Sequence, residues 1–117
     1  MVQEWYDSLQ QEEHYELLDT VNHLASMPIT EWRRPHFDKV DSPLCEIRCT
    51  AKKANHEIRV YGVFDSKVRG RFVMLYGNEA KKKNRDTAGQ QMALKRLRLL
   101  ENGKATTHEF VFEKGIA

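Results

Sequence analysis

Lysine and arginine are missing from the first 31 residues of this 117-residue chain. A secretory leader has a basic start followed by an apolar stretch; the start here is acidic, so the sequence reads as intracellular, cytoplasmic or nuclear. No apolar run approaches the ~18 residues that a membrane span needs, and no membrane association is expected. Cysteine is scarce, and Cys45 and Cys49 do not make a disulfide scaffold. All three prolines, Pro28, Pro35 and Pro43, sit within one stretch, which therefore reads as a connection without a sustained period. The length suits a single domain whose core needs neither disulfides nor a structural metal.

What the chain has is segregated charge. Residues 1 to 31 hold seven acids, Glu4, Asp7, Glu12, Glu13, Glu16, Asp19 and Glu31, so all 19 bases and the other ten acids follow them. The later part therefore carries 19 − 10 = +9, although the net charge of the chain is only +2. A basic segment of that size points to a polyanionic partner, nucleic acid being the commonest.

Apolar periodicity gives the elements. In "SLQQEEHYELLDTVNHLAS", Ser8 and Gln11 have capping-box spacing, and Tyr15, Leu17, Leu18, Val21, Leu24 and Ala25 recur at helical intervals. The proline-bearing stretch follows, with Phe37 and Val40 as a short extended piece. From Leu44 the period becomes two. "LCEIRCTA" and "HEIRVYGVF" place Cys45, Ile47, Cys49, Ile58 and Val60 on one side and Glu46, Arg48, Glu57, Arg59 and Tyr61 on the other, outward side. "RFVMLYG" is a third strand. A last helix follows with Ala88, Met92, Ala93, Leu97, Leu99 and Leu100 as its apolar face and Gly103 as its carboxyl-terminal cap. The expected fold is α+β: α-β-β-β-α, a three-stranded antiparallel sheet with both helices on one face, plus terminal extensions. Residues 1–11 read as an acidic arm, 12–103 as the domain, and 104–117 as a tail or extra strand.

No catalytic pattern emerges. Cys45 and Cys49, with His56 and His108 elsewhere, invite a zinc reading, but four residues along a strand at about 3.3 Å each separate the thiols by ~13 Å, beyond shared ligation at Zn–S of about 2.3 Å. They read as small inward-facing hydrophobes. The five histidines are dispersed, and there is no nucleophile elbow, Walker loop or paired acidic cluster. Neither a cofactor nor an enzymatic activity of the chain itself is expected.

"GNEAKKKNRDTAGQQMALKRL", residues 77 to 97, reads as a helix opening on Lys81, Lys82, Lys83 and Arg85. Each exposed cation there opposes the helix dipole by about 0.3–1 kcal/mol. The clash resolves if lysines and helix terminus together bind a phosphate.

With its order of elements, this stretch resembles the double-stranded-RNA-binding domain family, whose last helix follows roughly SKKxAKxxAAxxAL. Lys82 and Lys83 match the paired lysines, Ala88 and Gly89 the small residues, and Ala93-Leu94 the closing pair. "KKANHE" stands where the family has Gly-Pro-x-His, with His56 at the histidine. The resemblance covers about residues 12 to 101. It implies sequence-independent binding of an A-form duplex across two minor grooves and the intervening phosphates. On that model Lys81, Lys82, Lys83 and Arg85 grip phosphates, Lys52, Lys53, Asn55 and His56 reach one minor groove, and Thr20, Asn22 and His23 reach the other. Sugar hydroxyls would select RNA over DNA. The family is often appended to RNase III and Dicer nucleases, so an accessory domain of such an RNA-processing protein is implied. The alternative is a protein-interaction or dimerisation module on the same fold.

Overall fold

A computed structural model describes residues 2–51, 56–65, 67–81 and 86–107. Its elements are α1 (Val2–Ser8), α2 (Gln11–Ala25), a 3-10 turn (Ile29–Glu31), β1 (Phe37–Asp41), β2 (Leu44–Ala51), β3 (His56–Phe64), β4 (Phe72–Lys81) and α3 (Thr87–Glu101). The strands form one antiparallel sheet in the order β1-β2-β3-β4, so each strand pairs with its chain neighbour. The class, α+β with an antiparallel sheet, is as expected, but the sheet has four strands and not three. Phe37 and Val40 belong to a paired edge strand, in which Phe37 lies opposite Ile47 and Lys39 opposite Cys45.

The helices also differ from expectation in their placement. On one face, Cys45, Ile47, Cys49, Ala51, Ile58 and Val60 form a core with Tyr6, Leu9, Leu17 and Leu24 from the α1 and α2 region. On the other face, Leu44, Tyr61, Val63 and Leu75 pack with Ala93, Leu94 and Leu97 of α3. The sheet is therefore sandwiched: α1 and α2 lie on one side and α3 on the other. Strand alternation determines which residues share a face; it does not determine which helix covers that face.

Local chemistry sets the helix limits. Ser8 closes α1, donating to the Trp5 carbonyl at 2.6 Å, and the capping box lies two residues later, where the Gln10 N–H donates to Glu13 Oε1 at 3.1 Å. Buried Glu13, Leu17, Thr20 and Leu24 then follow at spacings of four and three along α2. At the other end of the chain, α3 terminates as read from the sequence. Gly103 takes a φ of 72°, its N–H donates to the Leu100 carbonyl at 3.1 Å, and that of Lys104 donates to Leu99 at 2.9 Å, a Schellman motif.

Residues 1–11, read as an arm, include α1, whose Tyr6 and following Leu9 are core residues. The Trp5 ring lies against Gly77 in β4, where a Cβ would overlap it. Residues 108–117, which include Phe110 and Phe112, lie outside the described residues. Gly77→Ala should push Trp5 out of its seat and lower stability by about 1–3 kcal/mol. Urea denaturation followed by tryptophan fluorescence measures this, and an unchanged midpoint would show that α1 is not packed on β4.

Candidate nucleic-acid interface

Strand register brings the two basic segments of the sequence to one end of the sheet. Ala51, the last residue of β2, pairs with His56, the first of β3, and His56 pairs with Lys81, the last of β4. The strand ends that flank the segment with Lys52, Lys53 and Asn55 and the segment with Lys82, Lys83 and Arg85 are thus neighbours, at a strand spacing of about 4.8 Å. Those six residues themselves lie outside the described ones, as do the side chains of His56 and Lys81.

The lysines do not open the last helix. Lys81 ends β4, and α3 begins at Thr87 with Asp86 as its N-cap. A carboxylate at that position satisfies a free N–H and has the sign that the helix dipole favours. Asp86 does more than cap. Its Oδ1 accepts from the Gly89 N–H at 3.0 Å, while Oδ2 accepts from Tyr61 Oη of β3 and from Asn78 Nδ2 of β4, both at 3.0 Å. Gly89 permits the close seating, since a Cβ there would stand 2.9 Å from the Tyr61 ring. Further along α3, the Arg96 guanidinium lies 4.9 Å over the Tyr76 ring and donates to the Leu75 carbonyl at 2.9 Å.

The α2 residues divide. Asn22 and His23 are exposed, whereas Thr20 is buried and hydrogen-bonds the Cys49 thiol. Thr20 is thus a core residue, not a groove contact. Because α2 and α3 cover opposite faces, Asn22 and His23 are not brought onto a common face with the start of α3, as the three-part duplex grip requires.

The sheet face shared with α3 holds what the sequence reading placed in solvent. Glu46, Glu57, Arg59 and Tyr61 are buried, and only Arg48 of that row is half-buried. Glu57 Oε2 accepts from Arg59 Nε at 3.2 Å and Nη2 at 2.8 Å, Arg48 Nη1 stands 3.9 Å from the same oxygen, and Arg48 Nε lies 3.4 Å from Glu46 Oε1. Arg59 also hydrogen-bonds Tyr61, so one polar line runs from Glu57 through Arg59 and Tyr61 to Asp86. Burial raises the Glu46 carboxyl above its ordinary range against the pull of Arg59 and Arg48. It likewise raises the Tyr61 hydroxyl, so the phenol stays a hydrogen-bond donor. The opposite charges at i, i+2 in Glu46-Ile47-Arg48 and again in Glu57-Ile58-Arg59 were the available signal; what they lacked was the covering layer.

Cys45 and Cys49 are free and buried, and burial pushes the Cys49 thiol up to about 12. Among the described residues, no group of three histidine, cysteine or acidic side chains could hold a metal ion, and no helix is long and apolar enough to cross a membrane. No family model matches the chain, and neither the curated proteins nor the solved structures provide a significant match.

Removing the Asp86 carboxylate leaves Tyr61, Asn78 and the Gly89 N–H without their acceptor, so Asp86→Ala should cost about 2–3 kcal/mol and Tyr61→Phe about 1 kcal/mol. Thermal or urea unfolding tests the ranking, and equal losses would contradict it. Glu46 supplies a pH test. With its folded pKa above the unfolded value, the protonated form favours folding, a contribution complete below about 4.5 and lost as pH rises through the folded pKa. Glu46→Gln should therefore flatten the fall in urea midpoint between the ordinary carboxyl range and neutrality. A parallel fall in the variant would exclude Glu46 as its source.

Proposed function

We propose that this chain binds RNA through its phosphates, without sequence preference, at the end of the sheet where the β2–β3 and β4–α3 connections meet. The observation that supports the reading is the pairing of Ala51, His56 and Lys81, the described residues that flank the two lysine-bearing segments. A duplex is the form expected to fit. The major groove of A-form RNA is deep and narrow, so its two phosphate rows can be met by two adjacent cationic segments, and the 2′-hydroxyls offer discrimination from DNA. This differs from the grip that the resemblance implies: the lysines act from a connection ahead of a capped helix, and Thr20 takes no part. A role as accessory module to an RNA-processing protein fits the same reading.

Charge neutralisation by each phosphate-contacting lysine releases counterions, so Lys82→Ala combined with Lys83→Ala should reduce affinity for a ~20 base-pair RNA at least tenfold and lower the slope of log K against log salt by nearly two. Fluorescence anisotropy at several salt concentrations, with matching DNA duplex and single-stranded RNA as comparisons, provides the measurement. Wild-type affinity in the double variant would remove the basic end as the binding site.

A further inference from the structure

A cavity of about 260 Å³ opens where the last turn of α2 meets the segment leading into β1. Four nitrogen-bearing side chains face it, His23, Arg33, Arg34 and His36, together with one acid, Glu31. The His23 and His36 rings stand edge to face with centroids 5.5 Å apart. His36 is fixed: its Nδ1 lies 3.4 Å from the Arg48 carbonyl, and its own carbonyl accepts from the Arg48 N–H at 2.9 Å. Arg34 is committed to Asp38, with Nη2 at 2.7 Å and Nε at 3.1 Å from Oδ2. Arg33 is exposed, and its Nε makes only a long 3.5 Å contact to the Glu31 carbonyl among the hydrogen bonds described.

Position links this cavity to the basic end of the sheet. Antiparallel pairing sets the start of β1 beside the middle of β2, with Phe37 opposite Ile47, and Arg48 stands three residues, or about 10 Å, before Ala51. His36 of the cavity thus stands beside the half of β2 that leads to Ala51, which itself pairs with His56. A connection can follow the diester backbone along its length, whereas a walled pocket with an apolar floor of Leu24 and Met27 admits a chain end.

We propose that this cavity is a phosphomonoester subsite, which takes the 5′-phosphate and first nucleotide of a bound RNA strand between Arg33, His23 and His36. The proposal rests on the RNA reading above and deepens it. Arg33 supplies the fork that matches phosphate oxygens, and the two imidazoles supply further nitrogens and a ring edge for the base. Arg34 serves by holding Asp38 away from the anion. Glu31 opposes the ligand, so its charge sets the affinity below what the cations alone would give.

The test uses the full chain and two pairs of probes. In a proton NMR titration, adenosine 5′-monophosphate should shift the imidazole resonances of His23 and His36 saturably, with a Kd in the low-millimolar range or tighter, and adenosine should not. Arg33→Ala should weaken that binding about tenfold and Glu31→Gln tighten it about threefold. An RNA strand with a 5′-phosphate should bind at least about fivefold more tightly than the same strand with a 5′-hydroxyl, and Arg33→Ala should abolish the difference. Equal affinity of the two strands, or no saturable shift with the monophosphate, overturns the subsite and leaves RNA binding at the lysine segments standing. Failure of both strands to bind overturns the RNA reading itself.

Discussion

The carboxylate of Asp86 ties together three elements that would otherwise have independent positions. It accepts from β3 through Tyr61, from β4 through Asn78 and from the first turn of α3 through Gly89. Strand pairing fixes β3 against β4, but nothing in a β-ladder determines where a following helix begins or how closely it lies on the sheet. A single buried-side acceptor with three donors determines both. The basic connection between Lys81 and Asp86 is thereby held at its two ends, one in the sheet ladder and one in this cap.

The same face shows why α3 seats where it does. Glu46, Glu57 and Arg59 are taken out of water, and each lost hydration shell costs several kcal/mol unless replaced. Here the replacement is a set of charge-assisted bonds, with Arg59 presenting two nitrogens to one Glu57 oxygen and Arg48 bridging toward Glu46. The net gain of such a set over apolar residues is small, but its geometry is demanding. A one-residue slip of β3 on β2 would turn Arg59 to the opposite face among Ile47, Cys49 and Leu17, so the charges fix register more firmly than hydrophobic packing alone.

How much of this could be read from the sequence follows from what each signal measures. Period two correctly grouped Cys45, Ile47, Cys49, Ile58 and Val60, because alternation reports a shared face directly. It said nothing about what covers the second face, so Glu46, Arg59 and Tyr61 were placed in solvent on the strength of polarity alone. The edge strand β1 has only five residues and two apolar positions, too few for a period, and its identity comes from pairing with β2. Trp5 and Tyr6 are in α1, but seven residues cannot show helical recurrence, and the acids around them suggested a solvated arm. The start of α3 was misplaced for another reason. The basic run Lys81, Lys82, Lys83 and Arg85 looked like part of the helix, whereas Asp86, a residue with N-cap chemistry, directly precedes the first helical residue, Thr87. The electrostatic conflict posed by lysines in a helical first turn disappears once the turn begins after them.

The acidic amino-terminal region need not oppose phosphate binding at the far rim. Glu12 and Glu16 precede His23 by eleven and seven residues along α2, which at 1.5 Å per residue puts them about 16 Å and 10 Å farther along the axis. At physiological ionic strength the screening length is about 8 Å, so their repulsion of an anion at the His23 end is largely lost. Along α2 the acids Glu12, Glu13 and Glu16 lie toward the start, Asp19 stands about 6 Å before His23, and no lysine or arginine is present, so the positive charge lies outside this helix. An incoming polyanion would therefore feel a directional field, repelled from the start of α2 and attracted to the rim formed by the end of β2, the start of β3 and the end of β4. Orientation, more than affinity, is what this separation of charge contributes.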